Sequence, residues 1–249
     1  MSETEKSQSW IACSAVPAGV LAGVTTRHGG DSTGDYAHNN LALHVGDDPQ
    51  RVSTNRAALQ AQLQAEAIQW LQQVHGSVCI RAADPHTLRL PEADAVWTDR
   101  RGLALAIMTA DCVPVLVWDT QGQVAGAAHA GWQGLVNGVL ETLVSNLPLP
   151  AQRLQAWIGP SIGVDHYEVG GDVWRHFTGY PDGVLRPHPQ STDKRLLDLA
   201  AAAAFCLSRA GVGTVLQSRL CAYSDSRFYS HRRAKGRMTG RMASIVMLK

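Results

Sequence analysis

The fold class follows from residues 102–132, "GLALAIMTADCVPVLVWDTQGQVAGAAHAGW", which contain three short apolar runs in succession. The runs 102–110, 114–119 and 122–130 have the length of buried strands, and Pro114 stands at the start of the second, where a strand tolerates it. Only a few residues separate the runs, so no helical crossover fits between them. This stretch therefore predicts consecutive strands joined by short turns.

The flanking sequence adds more strands and a few helices. Strands are predicted at 67–75, 77–83 and 240–248, and helices at 51–67, 132–147 and 195–211. Asp193 is the expected N-cap of the last helix, and Gly211 is its expected end. Because strands outnumber helices, we expect a layered α+β fold with helices flanking mixed sheets. We also expect a disordered tail at 1–10 and a single domain over 11–249.

Composition excludes several classes of protein. The chain has 249 residues, 45% of them hydrophobic, and a net charge of +1, so nothing indicates nucleic-acid binding. Neither a signal peptide nor an apolar run of membrane-spanning length is present, so no membrane partner is expected. The cysteines are odd in number and scattered, which favours a reducing, cytoplasmic location over a disulfide framework. They are Cys13, Cys79, Cys112, Cys206 and Cys221.

Three chemically distinctive residues occur where predicted strands end. His75 lies in "QVHG", Cys112 in "TADC" and His129 in "AHAGW". Taken singly, each histidine is more often a hydrogen-bonded structural residue, and a lone cysteine more often a small buried hydrophobe. Taken together, two imidazoles and a thiolate match the three protein ligands of a catalytic zinc site. No local spacing joins them, so the pattern alone indicates a metal site only weakly.

The chain closely resembles the YfiH-type or laccase-domain family through ordered motifs that cover nearly its whole length. These are "GVTTRHGG" (23–30), "NNLALHVGDD" (39–48), "QVHG" (73–76), "ADAVWTD" (93–99), "TADCVPVL" (109–116), "AGAAHAGWQG" (125–134), "IGPSIG" (158–163), "YEVG" (167–170), "FYSHRR" (228–233) and "TGRMAS" (239–244). The resemblance implies a β-sandwich-like core and a Zn²⁺ ion bound by His75, Cys112 and His129. It also implies purine nucleoside phosphorylase activity with adenosine deaminase activity in the same pocket.

The family has also been labelled polyphenol oxidase, and the histidine pattern bears on that label. A multicopper oxidase needs many histidines in closely spaced pairs, yet no two of the ten histidines here stand two residues apart. One Cys–His–His set holds one metal ion. Cu²⁺ could occupy this site in place of zinc, because such sites generally bind Cu²⁺ more tightly. Four-copper chemistry is not expected, although a single-copper polyphenol oxidase stays an alternative.

Further candidates follow from what a nucleoside and phosphate require. Arginines suit the anion because their charge is permanent and their donors are forked. The expected substrate-binding residues are Arg27, Asn40, Asp47, Arg233 and Arg241, with Arg232 as a further candidate. Asp111, beside Cys112, is expected either to orient a ligand or to accept a proton, unless it merely caps a turn. Cys112, His129 and Asp111 are thus the expected catalytic residues.

Two other classes of function stay open. In a Cys–His amide hydrolase, Cys112 would be the nucleophile and His129 the base. The resemblance supports this alternative, because the family's fold is similar to that of a toxin deamidase with such a pair, and some bacterial members are linked to peptidoglycan-precursor editing. The second is a non-catalytic protein that uses the pocket for binding. We expect small-molecule partners, a purine nucleoside and phosphate; the sequence does not fix the oligomeric state.

Overall fold

The computed structural model of the protein describes residues 9–84 and 90–249. Most of the predicted tail, residues 1–8, lies outside this part of the chain, and Trp10 already begins a strand. The single-domain organisation stays a prediction. The described chain contains, in order, β1 (Trp10–Ala12), β2 (Val20–Thr25), α1 (Pro49–Leu63), β3 (Ala67–Gln69), β4 (Cys79–Arg81), β5 (Ala95–Thr98), β6 (Leu103–Thr109), β7 (Val113–Asp119), β8 (Ala125–Ala130), α2 (Trp132–Val136), α3 (Val139–Asn146), β9 (Leu154–Ile158), β10 (Glu168–Val169), α4 (Gly171–Trp174), β11 (Leu185–His188), β12 (Ser191–Leu197), α5 (Leu199–Arg209), β13 (Thr214–Gln217) and β14 (Met242–Leu248).

The described strands form two large sheets and one small one. The first has the order β1-β2-β14-β6-β3, and the second the order β13-β9-β7-β8-β5-β4. Most neighbours are antiparallel, while β3–β6, β4–β5 and β9–β13 are parallel. The small sheet, β10-β12-β11, is antiparallel. This arrangement of mixed sheets confirms the predicted α+β class and its sandwich-like core.

The two large sheets pack face to face, and strand alternation shows how. In β6, Leu103, Leu105 and Ile107 belong to the core between the sheets, whereas Ala104 and Ala106 pack toward α1 on the outer side. A strand that is buried on both faces reads as a continuous apolar run because neither side needs polar residues. β7, which is buried along its whole length, is a second strand of this kind.

The second sheet is covered on its outer face by helices. Val115 and Val117 of β7 belong to a cluster with Leu140 and Leu143 of α3 and with Ala202 of α5. The order of layers is therefore α1, first sheet, second sheet, and then α2, α3 and α5. No helix in the described residues is both long and apolar enough to cross a membrane.

Several predicted boundaries are wrong. The helix predicted at 51–67 is α1, which begins two residues earlier, where Asp48 accepts a hydrogen bond from the backbone N–H of Gln50. The helix predicted at 132–147 is two helices, because Gly138 at φ +77° interrupts it. The strand predicted at 67–75 ends at Gln69, which leaves His75 in a loop.

The helix predicted at 195–211 also begins too early. Residues 195–197 belong to β12 and pair with β10 and β11, so tertiary pairing overrides their helical pattern. The N-cap is Asp198, whose carboxylate accepts from the N–H of Ala201 at 2.8 Å, and not Asp193. Gly211 at φ +85° follows the end of α5, as predicted.

The two aspartates give a matched test of this boundary. Asp198→Ala should lower the free energy of unfolding by about 1 kcal/mol, because the first turn of α5 loses a side-chain acceptor. Asp193→Ala, on the exposed face of β12, should change it by less than half of that. Urea unfolding, monitored by circular dichroism, measures both changes. Equal losses for the two variants would contradict the assignment of the cap.

Candidate metal centre

Strand pairing brings Cys112 and His129 together. Cys112 immediately precedes β7, and the antiparallel register of β7 with β8 pairs Val113 with Ala130 and Pro114 with His129. The two side chains therefore lie at the same end of neighbouring strands. His75 reaches this end from the loop between β3 and β4, because β4 pairs with β5 and β5 with β8.

The side chains of His75, Cys112 and His129 converge on one point. Their ligand atoms all lie within 4.8 Å of one another, and no other such group of three occurs among the described histidines, cysteines and acidic residues. Cys112 Sγ is 4.0 Å from His75 Nε2, and the two imidazoles meet edge to face with centroids 4.7 Å apart. Tetrahedral zinc places such donors roughly 3.5 Å apart. The group therefore needs little contraction to hold a metal ion.

The backbone around the cluster accounts for its tight geometry. A Cβ atom at Gly131 would lie 3.0 Å from His75 Cδ2 and 3.2 Å from Cys112 Sγ. Any larger residue at this position would therefore require His75 or Cys112 to shift by a few tenths of an ångström. His75 itself has φ +61°, a left-handed conformation that non-glycine residues rarely adopt. Such a conformation persists where surrounding contacts hold it.

Asp94, which immediately precedes β5, provides those contacts. Its fully buried carboxylate accepts from the backbone N–H groups of Val74, His75 and Gly76, at 3.1, 3.0 and 2.7 Å. Asp94 Oδ1 also lies 2.8 Å from His129 Nδ1. The sequence reasoning missed this residue, although it stands in the quoted motif "ADAVWTD", because one aspartate before a strand has no distinctive spacing.

Cys112 and His129 influence each other's ionisation. Burial on its own would raise the pKa of the Cys112 thiol, but the charge of His129 and hydrogen bonds from both histidines lower the pKa instead. Burial would likewise lower the pKa of His129, but Cys112 and Asp94 raise it. The pair thus favours a thiolate, which is the form of cysteine that binds metals.

The cluster forms part of the wall of a cavity of about 390 Å³. The cavity is lined by His44, Gln73, His75, Met108, Thr109, Ala110, Asp111, Cys112, His129, Ile162, Tyr167, His231, Arg232 and Arg241. Its volume is in the range of small-molecule sites. One wall therefore carries potential metal ligands, while others carry two arginines and a tyrosine.

Asp111 lies next to the cluster in a strained and buried position. Its φ is +108°, and its Oδ2 accepts from the backbone N–H of Arg232 at 2.7 Å. Oδ1 is buried without a hydrogen-bond partner in the described part of the chain. Burial raises the pKa of this carboxyl, although the Arg232 N–H opposes the shift. Asp111 therefore both holds the backbone of Arg232 and lines the cavity.

Three of the predicted substrate-binding residues, Arg241, Asn40 and Asp47, form a chain of hydrogen bonds that begins in the cavity wall. Arg241 lines the cavity, where its Nη1 donates to the carbonyls of Thr239 and Gly240. Asn40 and Asp47 are buried nearby and bond to each other at 2.9 Å. Asn40 Oδ1 accepts from the backbone N–H of Arg241 at 2.9 Å, so Asn40 holds the backbone of the arginine.

Arg27 and Arg233 are not among the residues that line this cavity. The Nε of Arg27 donates to the carbonyl of Ala37 at 2.8 Å, and its guanidinium lies over the ring of Tyr229. Arg233 donates to the carbonyls of Ala222, Tyr223 and Phe228. The structure therefore brings Arg241 to the metal-ligand cluster and places Arg27 and Arg233 where they join backbone segments.

The cavity also contains residues that the sequence reasoning did not select. Gln73 forms a two-way hydrogen bond with the backbone of Met108, at 2.8 Å in each direction, and so fixes the loop of His75 to the end of β6. The Tyr167 ring lies 5.1 Å below the guanidinium of Arg232, and burial raises the pKa of its hydroxyl to about 12. Gln73 and Tyr167 stand in the quoted motifs "QVHG" and "YEVG", which is the signal that could have found them.

Comparison with known proteins gives one consistent family. A family model described as multi-copper polyphenol oxidoreductase laccase matches residues 21–249. A purine nucleoside phosphorylase of Pseudomonas aeruginosa is 43% identical over 94% of this chain and 95% of its own length. The purine nucleoside phosphorylase YfiH of Escherichia coli is 39% identical over 93% and 95%.

A solved structure shows the same fold. The Neisseria meningitidis protein NMB0706, of the family model DUF152, superposes with a TM-score of 0.90 at 38% identity, covering 97% of this chain and all of that one. The family model and the relatives cover nearly the whole length of the chain. The chain therefore belongs to the YfiH-type family, whose model carries the polyphenol oxidoreductase description.

Proposed function

We propose that this chain is a zinc-dependent purine nucleoside phosphorylase that acts on adenosine, inosine and methylthioadenosine. We also propose that it deaminates adenosine in the same pocket. The observation that carries the proposal is the cluster of His75, Cys112 and His129 in the wall of a cavity that also contains Arg232 and Arg241. The names of the relatives from Pseudomonas and Escherichia support it.

The donor set suits zinc, and one cluster suits one ion. Two imidazoles and a thiolate are ligands that zinc prefers, and His75, Cys112 and His129 would hold one ion with the three protein ligands typical of catalytic zinc. Cu²⁺ could replace zinc by affinity, but the multi-copper description of the family model requires more sites than this cluster provides. A bound zinc ion supplies Lewis acidity and lowers the pKa of water.

The residues of the chain supply binding and orientation. In phosphorolysis a phosphate oxygen bonds to the ribose C1′ while the bond from C1′ to the purine nitrogen breaks. Arg241 and Arg232 line the cavity and would hold the phosphate, since their charges survive partial burial. We assign to Asp111 the task of orienting a ligand or accepting a proton, because its carboxylate is fixed by the backbone of Arg232.

The metal assignment is tested by Cys112→Ala. Removal of a residue that hydrogen-bonds to a metal ligand lowers metal affinity roughly 10- to 100-fold. Cys112→Ala removes a ligand itself, so its zinc affinity should fall by more than that. It should stay folded, because Cys112 lies in a connection and is only partly buried. Metal analysis gives the zinc content, and chromatography of adenosine, inosine and methylthioadenosine with phosphate gives the activity.

Cys79→Ala is the matched control for that experiment. Cys79 lies in β4 and outside the cluster, so its removal should leave the zinc content unchanged. Full activity of metal-free Cys112→Ala protein would contradict the assigned site. Little zinc but stoichiometric copper in protein purified without added copper would favour the single-copper polyphenol oxidase.

The anion assignment is tested by Arg241→Ala. Loss of a charge-assisted contact of roughly 1.5–3 kcal/mol should weaken the use of phosphate about 10- to 150-fold. Deamination needs no phosphate, so it should fall less. The measurement compares kcat/KM for phosphate with the rate of adenosine deamination in the same variant.

Two other arginines serve as controls. Arg237→Ala should leave both activities unchanged, because Arg237 is exposed and lies outside the cavity lining. Arg233→Ala should instead lower the free energy of unfolding, because four backbone carbonyls lose their donor. Equal losses of phosphorolysis and deamination in Arg241→Ala would mean that Arg241 holds the fold or the nucleoside rather than phosphate.

The mutual effect of Cys112 and His129 on their ionisation favours a Cys–His amide hydrolase as the second candidate. The two functions differ in the reactivity of the thiolate. A nucleophilic Cys112 should be alkylated by iodoacetamide without a chelator, whereas a zinc-bound thiolate should react only after zinc is removed. Peptide mapping of the alkylated cysteine distinguishes them.

A further inference from the structure

We propose that Asp94 is the positioning residue of this centre, which presets both His75 and His129 to bind a metal ion before the ion arrives. The proposal rests on the metal-binding part of the proposed function, and on neither its substrate nor its reaction. Asp94 was not among the residues expected from the sequence. Its carboxylate is fully buried and bonds to backbone groups and to one of the candidate ligands.

The hydrogen bonds of Asp94 fix the proton on His129. Its Oδ2 accepts from the N–H groups of Val74 and Gly76, and its Oδ1 accepts from the N–H of His75. A backbone N–H can only donate, so both oxygens act as acceptors, an arrangement that favours the ionised carboxylate. An ionised carboxylate can only accept, so we assign the proton in the 2.8 Å contact with His129 to Nδ1 of the imidazole. With Nδ1 protonated, Nε2 is the nitrogen of His129 that can offer its lone pair to a metal ion.

The same carboxylate holds the loop of the second histidine. Three successive N–H groups, from Val74 to Gly76, point at one anion, and this concave backbone arrangement typically binds negative charge. These hydrogen bonds offset the energetic cost of the left-handed conformation of His75, at φ +61°. They aim its side chain at Cys112, whose Sγ lies 4.0 Å from His75 Nε2.

The backbone of Asp94 completes the link. Its carbonyl accepts from the N–H of His129 at 2.7 Å, and its N–H donates to the carbonyl of Val78 at 3.1 Å. One residue thus joins the loop before β4 to the strand β8. Because the carboxylate receives donors from both sides, the relative position of the two histidines depends on it.

Asp94→Asn should disrupt both functions of the carboxylate. An asparagine amide has one acceptor oxygen, so its –NH₂ group must take the place of one of the two carboxylate oxygens. In the first orientation the –NH₂ group faces the N–H groups of Val74 and Gly76. In the second it faces the N–H of His75 and Nδ1 of His129. In the second orientation His129 Nδ1 becomes an acceptor, and its proton moves to Nε2, where it blocks a metal. Zinc affinity should fall about 10- to 100-fold.

Two measurements that use no nucleoside test the proposal. Competition with a chromophoric chelator gives the zinc affinity of the wild-type protein, of Asp94→Asn and of the control Asp99→Asn. Asp99 is an exposed aspartate that pairs with Arg81, so its variant should bind zinc as the wild type does. Long-range ¹H–¹⁵N NMR of the metal-free proteins reports which nitrogen of His129 is protonated, which a merely structural role of Asp94 would not determine.

The expected result is a proton on Nδ1 of His129 in the metal-free wild-type protein, together with weaker zinc binding in Asp94→Asn. An Nδ1 of His129 that carries no proton in the wild type would overturn the proposal, even if Asp94→Asn failed to fold. Unchanged zinc affinity in a folded Asp94→Asn would overturn it as well. A wild-type protein that binds zinc normally but shows no phosphorolysis would count against the proposed function and leave the role of Asp94 intact.

Discussion

The passage of the chain from one sheet to the other at residues 110–112 is the constraint on which the site depends. β6 belongs to the first sheet and β7 to the second, and three residues connect them. The turn requires φ +108° at Asp111, and it is held by hydrogen bonds to Ile162 and to the backbone of Arg232. A crossing this short keeps the ends of the two sheets together, so Cys112 faces a cavity rather than bulk solvent.

Burial of both large sheets supplies the rigidity that this crossing needs. The first sheet lies between α1 and the second sheet, and the second sheet is covered by α2, α3 and α5. A shift in register would move every side chain of a strand to the opposite face, where the packed neighbours do not fit it. The pairing of β7 with β8 therefore fixes the distance between Cys112 and His129. Chemistry at the ends of rigid strands is positioned more accurately than chemistry on free loops.

Local patterns predicted the central strands β6, β7, β8 and β14 of the two large sheets, but not β1, β2, β5, β9 or β13, and they failed where distant contacts decide the outcome. β6, β7 and β8 were predictable because continuous apolar runs mark strands that are buried on both sides. Residues 195–197 have a helical pattern, yet pairing with β10 and β11 makes them a strand. Asp94 escaped prediction because its partners lie 18 to 35 residues away, where no periodicity points. The metal-ligand cluster was predicted mainly because the motifs resemble a known family.

The polar residues around Arg241 show why such motifs do not by themselves identify substrate contacts. Asn40 accepts from the backbone of Arg241, and Asp47 accepts from Asn40 and from Ser32; Asn40, Asp47 and Ser32 are all buried. A buried polar group that loses its partner costs roughly 1–3 kcal/mol, so such a network tolerates little change. In the sequence, a residue that holds the backbone of an arginine looks the same as one that touches the ligand. What separates them is whether the polar atoms are already satisfied by the protein, and only the folded structure shows that.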